Sequence, residues 1–306
     1  MPGFTWHIVS YTVVVFSIIV ITYRTYAISK LPLHLRWELA PIPHEKVKSQ
    51  YGGSYLEEYE WWLKQRRKSQ VAPLVYMAKE IFFLRSVWDT NRALWPFSFS
   101  FHTGIYLILG MLVLQLINTL FLLLEIHAQI LDISLGVASF FALIGYLLGS
   151  LGTIGLFLKR TIDVDFRPFN TFSKYFNLLF LGAVFISGCY AKLSIADFTF
   201  ELGAFMKDLV TFNGGMVVTF PMSLHLGISF LFLLYLPLSD MVHFVAKYFT
   251  YHQVRWDDLP QDEKMEKAIS LLLAQPISWS ASHIGANGSK SWIEVASTDK
   301  NNDKEA

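Results

Sequence analysis

Long apolar runs separated by short polar stretches set the rhythm of this chain. Five of them, about 8–28, 99–124, 135–158, 176–195 and 217–246, are long enough to cross a hydrocarbon core of ~30 Å as helices. Between the first and second runs the pattern changes. In 55–70 and 75–88 aromatic and aliphatic residues mix with spaced charges at helical intervals, which predicts amphipathic helices lying on a membrane surface or against a protein partner. Beyond 246, "VRWDDLPQDEKMEKAISLLLAQ" predicts a short helix, "ISWSASHIGANGSKSWIEVA" is Gly-punctuated and Trp-bearing, and the last ten residues read as disordered.

The pattern therefore predicts an all-α integral membrane protein, a five-helix transmembrane bundle. Its parts are a first transmembrane helix (1–28), a loop with amphipathic helices (29–96), a four-helix core (97–246) and a tail (247–306). The first run has no positive stretch before it and is followed by Arg24 and Lys30, so it is expected to be an anchor and not a cleaved signal.

Composition agrees with this class, with 53% hydrophobic and 16% charged residues. The distribution of charge adds direction. Lys and Arg number eleven in 29–96, none in 125–134, four in 159–175, one in 196–216 and seven beyond 246. The positive-inside rule then places the N-terminus outside and the long loop and the C-terminal tail in the cytoplasm of a multi-pass protein, whose expected location is a prokaryotic cytoplasmic membrane on the family resemblance given below. The net charge of +1 carries no basic surplus for nucleic acid, and no nucleic-acid partner is expected. The single cysteine, Cys189, lies in the fourth run and excludes an intrachain disulfide or a cysteine-ligated cluster. No hydrolytic triad, phosphate loop or metal-hydrolase motif is present.

Histidines inside the apolar runs are the candidate chemistry, because an ionisable side chain in a bilayer is costly and normally faces the bundle interior. His102 lies near the start of the second run, and His225 and His243 lie in the fifth, eighteen residues apart. On one continuous helix that spacing is five turns, placing both on one stripe about 27 Å apart. With the second and fifth helices antiparallel, His102 and His243 come to similar depth near the cytoplasmic face. Two opposed neutral imidazoles are what bis-histidine ligation of a b-type haem requires. The plain alternative is that each hydrogen-bonds a serine or a backbone carbonyl.

Gly104, two residues after His102, admits a porphyrin or a neighbouring helix. Lys159, Arg160 and Arg167 stand at the depth of the haem propionates, or serve as positive-inside anchors. Asp240 orients a His243 ring nitrogen or marks the approach to water, and Pro237 is expected to kink the fifth helix. His7, His34, His44, His127, His252 and His283 are expected at surfaces or contacts.

A second haem would need a partner for His225 about 15 Å beyond His102, near Leu112, which cannot ligate; Met111 points the opposite way from His102. His225 is thus a quinone-binding histidine, a ligand to a second haem iron with an unusual partner or none, or a structural hydrogen-bonding group. A transporter relaying protons through these histidines is disfavoured by the scarcity of Asp and Glu deep in the spans.

At these residues the chain resembles a known family. "FHTGIYLIL" and "LHLGISFLFLLYLPLSDMVHF" resemble the five-helix cytochrome b gamma subunit of respiratory nitrate reductases. "PLHLRWELAPIPHE", "YGGSYLEEYEWW", "KYFTYHQVRWDDLP" and "SWSASHI" look more like the membrane cytochrome b subunits associated with dissimilatory sulfite reduction or transmembrane cytochrome c electron transfer. The resemblance implies that His102 and His243 ligate haem iron. In the nitrate reductase subunit a second haem pairs the residue aligned with His225 to a histidine where this chain has Leu112. It further implies menaquinone as carrier and a cytoplasmic iron-sulfur partner resembling the catalytic subunit of heterodisulfide reductase. A periplasmic cytochrome c and further membrane subunits complete the partners it suggests. The alternative is a haem-free membrane anchor that recruits a cytoplasmic enzyme through its loop and tail.

Overall fold

The computed structural model describes residues 3–31, 47–51, 57–60, 69–125, 128–164, 167–249, 263–281 and 284–297. Within them, five helices are long and apolar enough to cross a membrane. They are α1 (Gly3–Ser29), α4 (Trp95–Leu123), α5 (Ala128–Ile162), α6 (Phe172–Ser194) and α8 (Phe220–Tyr235), the last extended by a 3-10 turn to Leu238. In lipid every backbone N–H and C=O must find a partner within the protein, so an apolar run of this length forms a helix. The chain is a multi-pass helical membrane protein, as its hydropathy predicts.

Shorter helices complete the fold: α2 (Val71–Phe83), α3 (Arg85–Thr90), α7 (Phe198–Thr211), α9 (His243–Lys247), α10 (Glu263–Leu273) and α11 (Trp292–Ser297). The amphipathic helix expected in 75–88 is the α2–α3 pair, and that expected in the tail is α10. The one expected in 55–70 falls largely outside the described residues, as do His34, His44, His127, His252 and His283. In the tail, β1 (Ser280–Ala281) pairs antiparallel with β2 (Ala286–Asn287). Ser291 and Glu294 then start α11 as a capping box, with Ser291 N donating to the Glu294 carboxylate at 2.7 Å and Glu294 N lying 3.4 Å from Ser291 Oγ.

Hydrophobic burial does not hold helices together in lipid; close packing and interhelical hydrogen bonds do. The tightest seam here joins α4 to α5. A Cβ on Gly104 would fall 2.5 Å from the Gly149 nitrogen, and a Cβ on Gly152 would meet the Phe101 backbone. Gly104 therefore admits a neighbouring helix, one of the two roles its position suggested. From this seam the packing runs from α5 to α6, from α6 to α8 and from α8 to α1, while α7 packs on α4.

The fifth span departs from expectation. One continuous helix over 217–246 was predicted, but α8 ends at Tyr235, and 3-10 turns over Leu236–Leu238 and Asp240–Val242 flank Ser239, which is extended (φ −97°, ψ 178°). Pro237 removes an N–H and cannot continue the ladder, so the helix breaks where a kink was expected. Two carbonyls freed by the break are satisfied from α1: Arg24 Nη1 donates to Pro237 O and Ser239 O, each at 2.7 Å. His225 and His243 consequently do not share one helix stripe.

Candidate functional site

His102 stands on α4, half-buried, with its Nδ1 2.8 Å from the carbonyl of Ser98 one turn earlier. A carbonyl only accepts, so Nδ1 carries the proton and, in the neutral ring, Nε2 carries the lone pair. Phe101 meets the ring edge-on at 5.2 Å and Tyr106 stands 6.4 Å away. His243, the first residue of α9, is exposed, and its imidazole makes no hydrogen bond among the described residues. Both His243 and Lys247, one turn further on α9, lie within electrostatic reach of the His102 imidazole. The two histidines thus stand at the same end of the bundle, close enough for their charges to interact, although their spans are not tightly packed neighbours.

The same place is reached by the loop. On α2, Glu80 is buried and accepts from Ser86 Oγ at 2.8 Å and from Lys247 Nζ at 3.3 Å. Tyr106 Oη, one turn beyond His102, donates to Ile81 O at 2.7 Å, and Trp95 Nε1 donates to Phe83 O at 2.9 Å. These two bonds hold the end of α2 on α4, beside the histidines.

Arg160, at the C-terminal end of α5, donates from Nη1 to the Lys174 carbonyl at 3.3 Å, while its buried Nε has no hydrogen-bond partner. Asp240 lies within its electrostatic reach. Asp240 accepts from Asn177, whose Oδ1 accepts from Tyr235 Oη at 2.6 Å, so its carboxylate serves this network at the helix break. Lys159 pairs with Asp163 at 2.5 Å. A cavity of about 320 Å³ between the ends of α4 and α5 is lined by these two residues with Phe97, Gly155, Leu158 and Ile162.

His225 has a different environment. It is buried, its Nε2 lies 2.9 Å from Tyr146 Oη and its Nδ1 3.1 Å from Ser187 Oγ. Three helices, α5, α6 and α8, meet on this one ring. Phe198 on α7 closes the site, with its ring 6.2 Å from Tyr146. Of the three roles open for His225 on sequence, the structural hydrogen bond is the one these contacts supply directly. Gly188 makes room for the Tyr146 ring, since a Cβ there would collide with it.

Near the opposite end of α1 from Arg24, His7 is buried, with Nε2 2.9 Å from the Asp208 carboxylate of α7. It is a contact residue, not a surface one. Sequence reasoning overlooked α7, Tyr146, Glu80 and this His7–Asp208 hydrogen bond. For α7 a signal existed: Phe198, Leu202, Phe205 and Leu209 recur at helical spacing, and the first three are buried. Glu80 and Tyr146 carry no local signal, because their partners are distant in sequence.

Comparison of the chain with protein-family models, with curated proteins and with solved structures gave no match.

Proposed function

We propose that this chain is the membrane cytochrome b subunit of a respiratory electron-transfer complex, with one haem b held between His102 and His243. The observation that carries the reading is the pair itself. One imidazole is fixed by its Nδ1–H on the Ser98 carbonyl, with its Nε2 lone pair uncommitted, and the other makes no hydrogen bond among the described residues. A histidine that ligates a metal commonly donates its other ring N–H to a carbonyl or carboxylate, so the His102 geometry fits a ligand.

Haem bound there supplies one-electron transfer. The chain's own residues orient and enclose: Ser98 fixes the His102 tautomer, and Phe101 and Tyr106 flank its ring. Arg160 has an unpartnered Nε–H suited to a propionate carboxylate. With the N-terminus outside, the pair lies toward the cytoplasm, where the long loop and tail receive an iron-sulfur subunit resembling the catalytic subunit of heterodisulfide reductase. Menaquinol or menaquinone is the carrier exchanged on the membrane side. The reading uses one haem, because a second on His225 would have to displace its bonds to Tyr146 and Ser187.

A second reading has observations of its own. Among the described residues no group of three or more His, Cys, Asp or Glu is arranged for a metal ion, and the contacts of His225 are complete within the protein. A haem-free membrane anchor that recruits a cytoplasmic enzyme through its loop and tail asks for nothing beyond the contacts as they stand, and in that respect it is the better supported of the two.

The pyridine haemochrome ratio of haem b to purified, folded protein decides between them. The proposal expects one haem per chain, lost in His102→Ala and in His243→Ala and kept in His225→Ala. Folded protein without haem would establish the anchor reading, and two haems with one lost in His225→Ala would overturn the assignment of His225.

A further inference from the structure

Helix α9 has only five residues and follows a broken span, so its own ladder cannot hold His243 in place. Something outside it must. Lys247, four residues after His243 and therefore on the same face of α9, reaches Glu80 on the loop helix. Glu80 is 3% exposed and is itself held by Ser86, while its helix is tied to the His102 turn of α4 through Tyr106 and Ile81. A carboxylate is rarely taken out of water unless it is paired, and here its pair is the cation beside the two histidines. A chain of contacts runs from His102 through Tyr106 to α2, from Glu80 to Lys247, and along one turn to His243.

We propose that Glu80 is a positioning residue for His243: through Lys247 it fixes where the α9 imidazole stands relative to His102, and it balances the Lys247 charge there. The loop between the first two spans is on this account a structural part of the histidine site and not only a docking segment. The proposal rests on the haem reading for its electronic consequences and on the hydrogen bonds alone for its structural one, and the two separate in experiment.

In the full-length protein loaded with haem, Glu80→Gln removes the negative charge that Glu80 sets against Lys247 beside the histidine pair. The positive charge of Lys247 favours the more negative, reduced state, so the midpoint potential rises, and the low-spin electron paramagnetic resonance g values move as the imidazole planes reorient. Glu80→Asp restores both in large part. Glu80→Gln combined with Lys247→Met returns the potential toward wild type while the g values stay shifted. Wild-type potential and g values in Glu80→Gln would overturn the proposal, and Ser86→Ala is a milder probe of the same carboxylate if that variant fails to fold.

The haem-free readout uses His243→Cys in a Cys189→Ser background. Alkylation of residue 243 by a water-soluble maleimide is expected to accelerate several-fold when Glu80→Gln is added; equal rates overturn the positioning role. Wild-type protein that folds without haem would sink the cytochrome reading and leave this second measurement to judge Glu80 by itself.

Discussion

His225 and the His102–His243 pair stand in one bundle, yet they are built in opposite ways. The His225 ring is buried with both nitrogens engaged, by Tyr146 at 2.9 Å and Ser187 at 3.1 Å, and its helices close around it. His102 spends one nitrogen on its own helix backbone and keeps the other, while the His243 imidazole is exposed and has no hydrogen-bond partner among the described residues. A histidine in a membrane span is thus not one kind of thing. Where its hydrogen-bonding capacity is met inside the protein it works as a clasp between helices, and where it is left over beside a second imidazole it is poised for something from outside.

The strongest way to break the contrast is to part the helices that create it. Gly104 packs on Gly149, so Gly104→Val drives a branched side chain into backbone that cannot move aside. A loss of at least about 3 kcal/mol is expected in reversible unfolding in mixed micelles. Near-wild-type stability would mean that the α4–α5 seam is looser than this contact indicates.

A smaller effect isolates the clasp. His225→Leu keeps roughly the volume but strips Tyr146 Oη of its partner, while Ser187 Oγ retains Val184 O at 3.0 Å. Interhelical hydrogen bonds in membranes are modest, so a loss of about 1–2 kcal/mol is expected, with haem content unchanged. Loss of haem with little change in stability would reverse the two histidine roles. Tyr146→Phe removes one of the two bonds and should cost about 0.5–1.5 kcal/mol in the same assay; a cost as large as that of His225→Leu would show that Ser187 adds nothing.

Much of this architecture was legible in the sequence, and the misses have physical causes. The five spans follow from apolar length alone, and the placing of His102 and His243 at one end of the bundle follows from antiparallel helices and depth. What failed was phase. Counting five turns from His225 to His243 assumes an unbroken helix, and although Pro237 and the polar Ser239-Asp240 pair signalled trouble, nothing in the local sequence says that Ser239 turns extended and resets the geometry. Gly145, Gly149, Gly152 and Gly155 form a stripe at helical spacing that marks the α4–α5 seam, but in an apolar run small residues are easily passed over. Tyr146 looked like aromatic filling, and its role depends on a histidine 79 residues away. Glu80, in a charged loop, gave no hint of burial, because its cation comes from beyond the fifth span.

Asn118 supplies the smallest effect and the sharpest version of the comparison. It is fully buried on α4, three residues beyond Gln115, and neither its amide nitrogen nor its oxygen has a hydrogen-bond partner. Like His102 and His243 it has capacity to spare; like His225 it is sealed. Gln115 nearby at least donates to Thr199 O at 2.9 Å. An unpaired buried amide costs free energy that an apolar side chain of similar size does not, so Asn118→Leu should leave stability unchanged or raise it by up to about 1 kcal/mol. If the substitution instead destabilises the bundle by more than about 1 kcal/mol, the amide has a partner in the membrane that these helices do not provide. Asn118 would then be a group whose complement comes from outside the chain, the role proposed for the histidine pair.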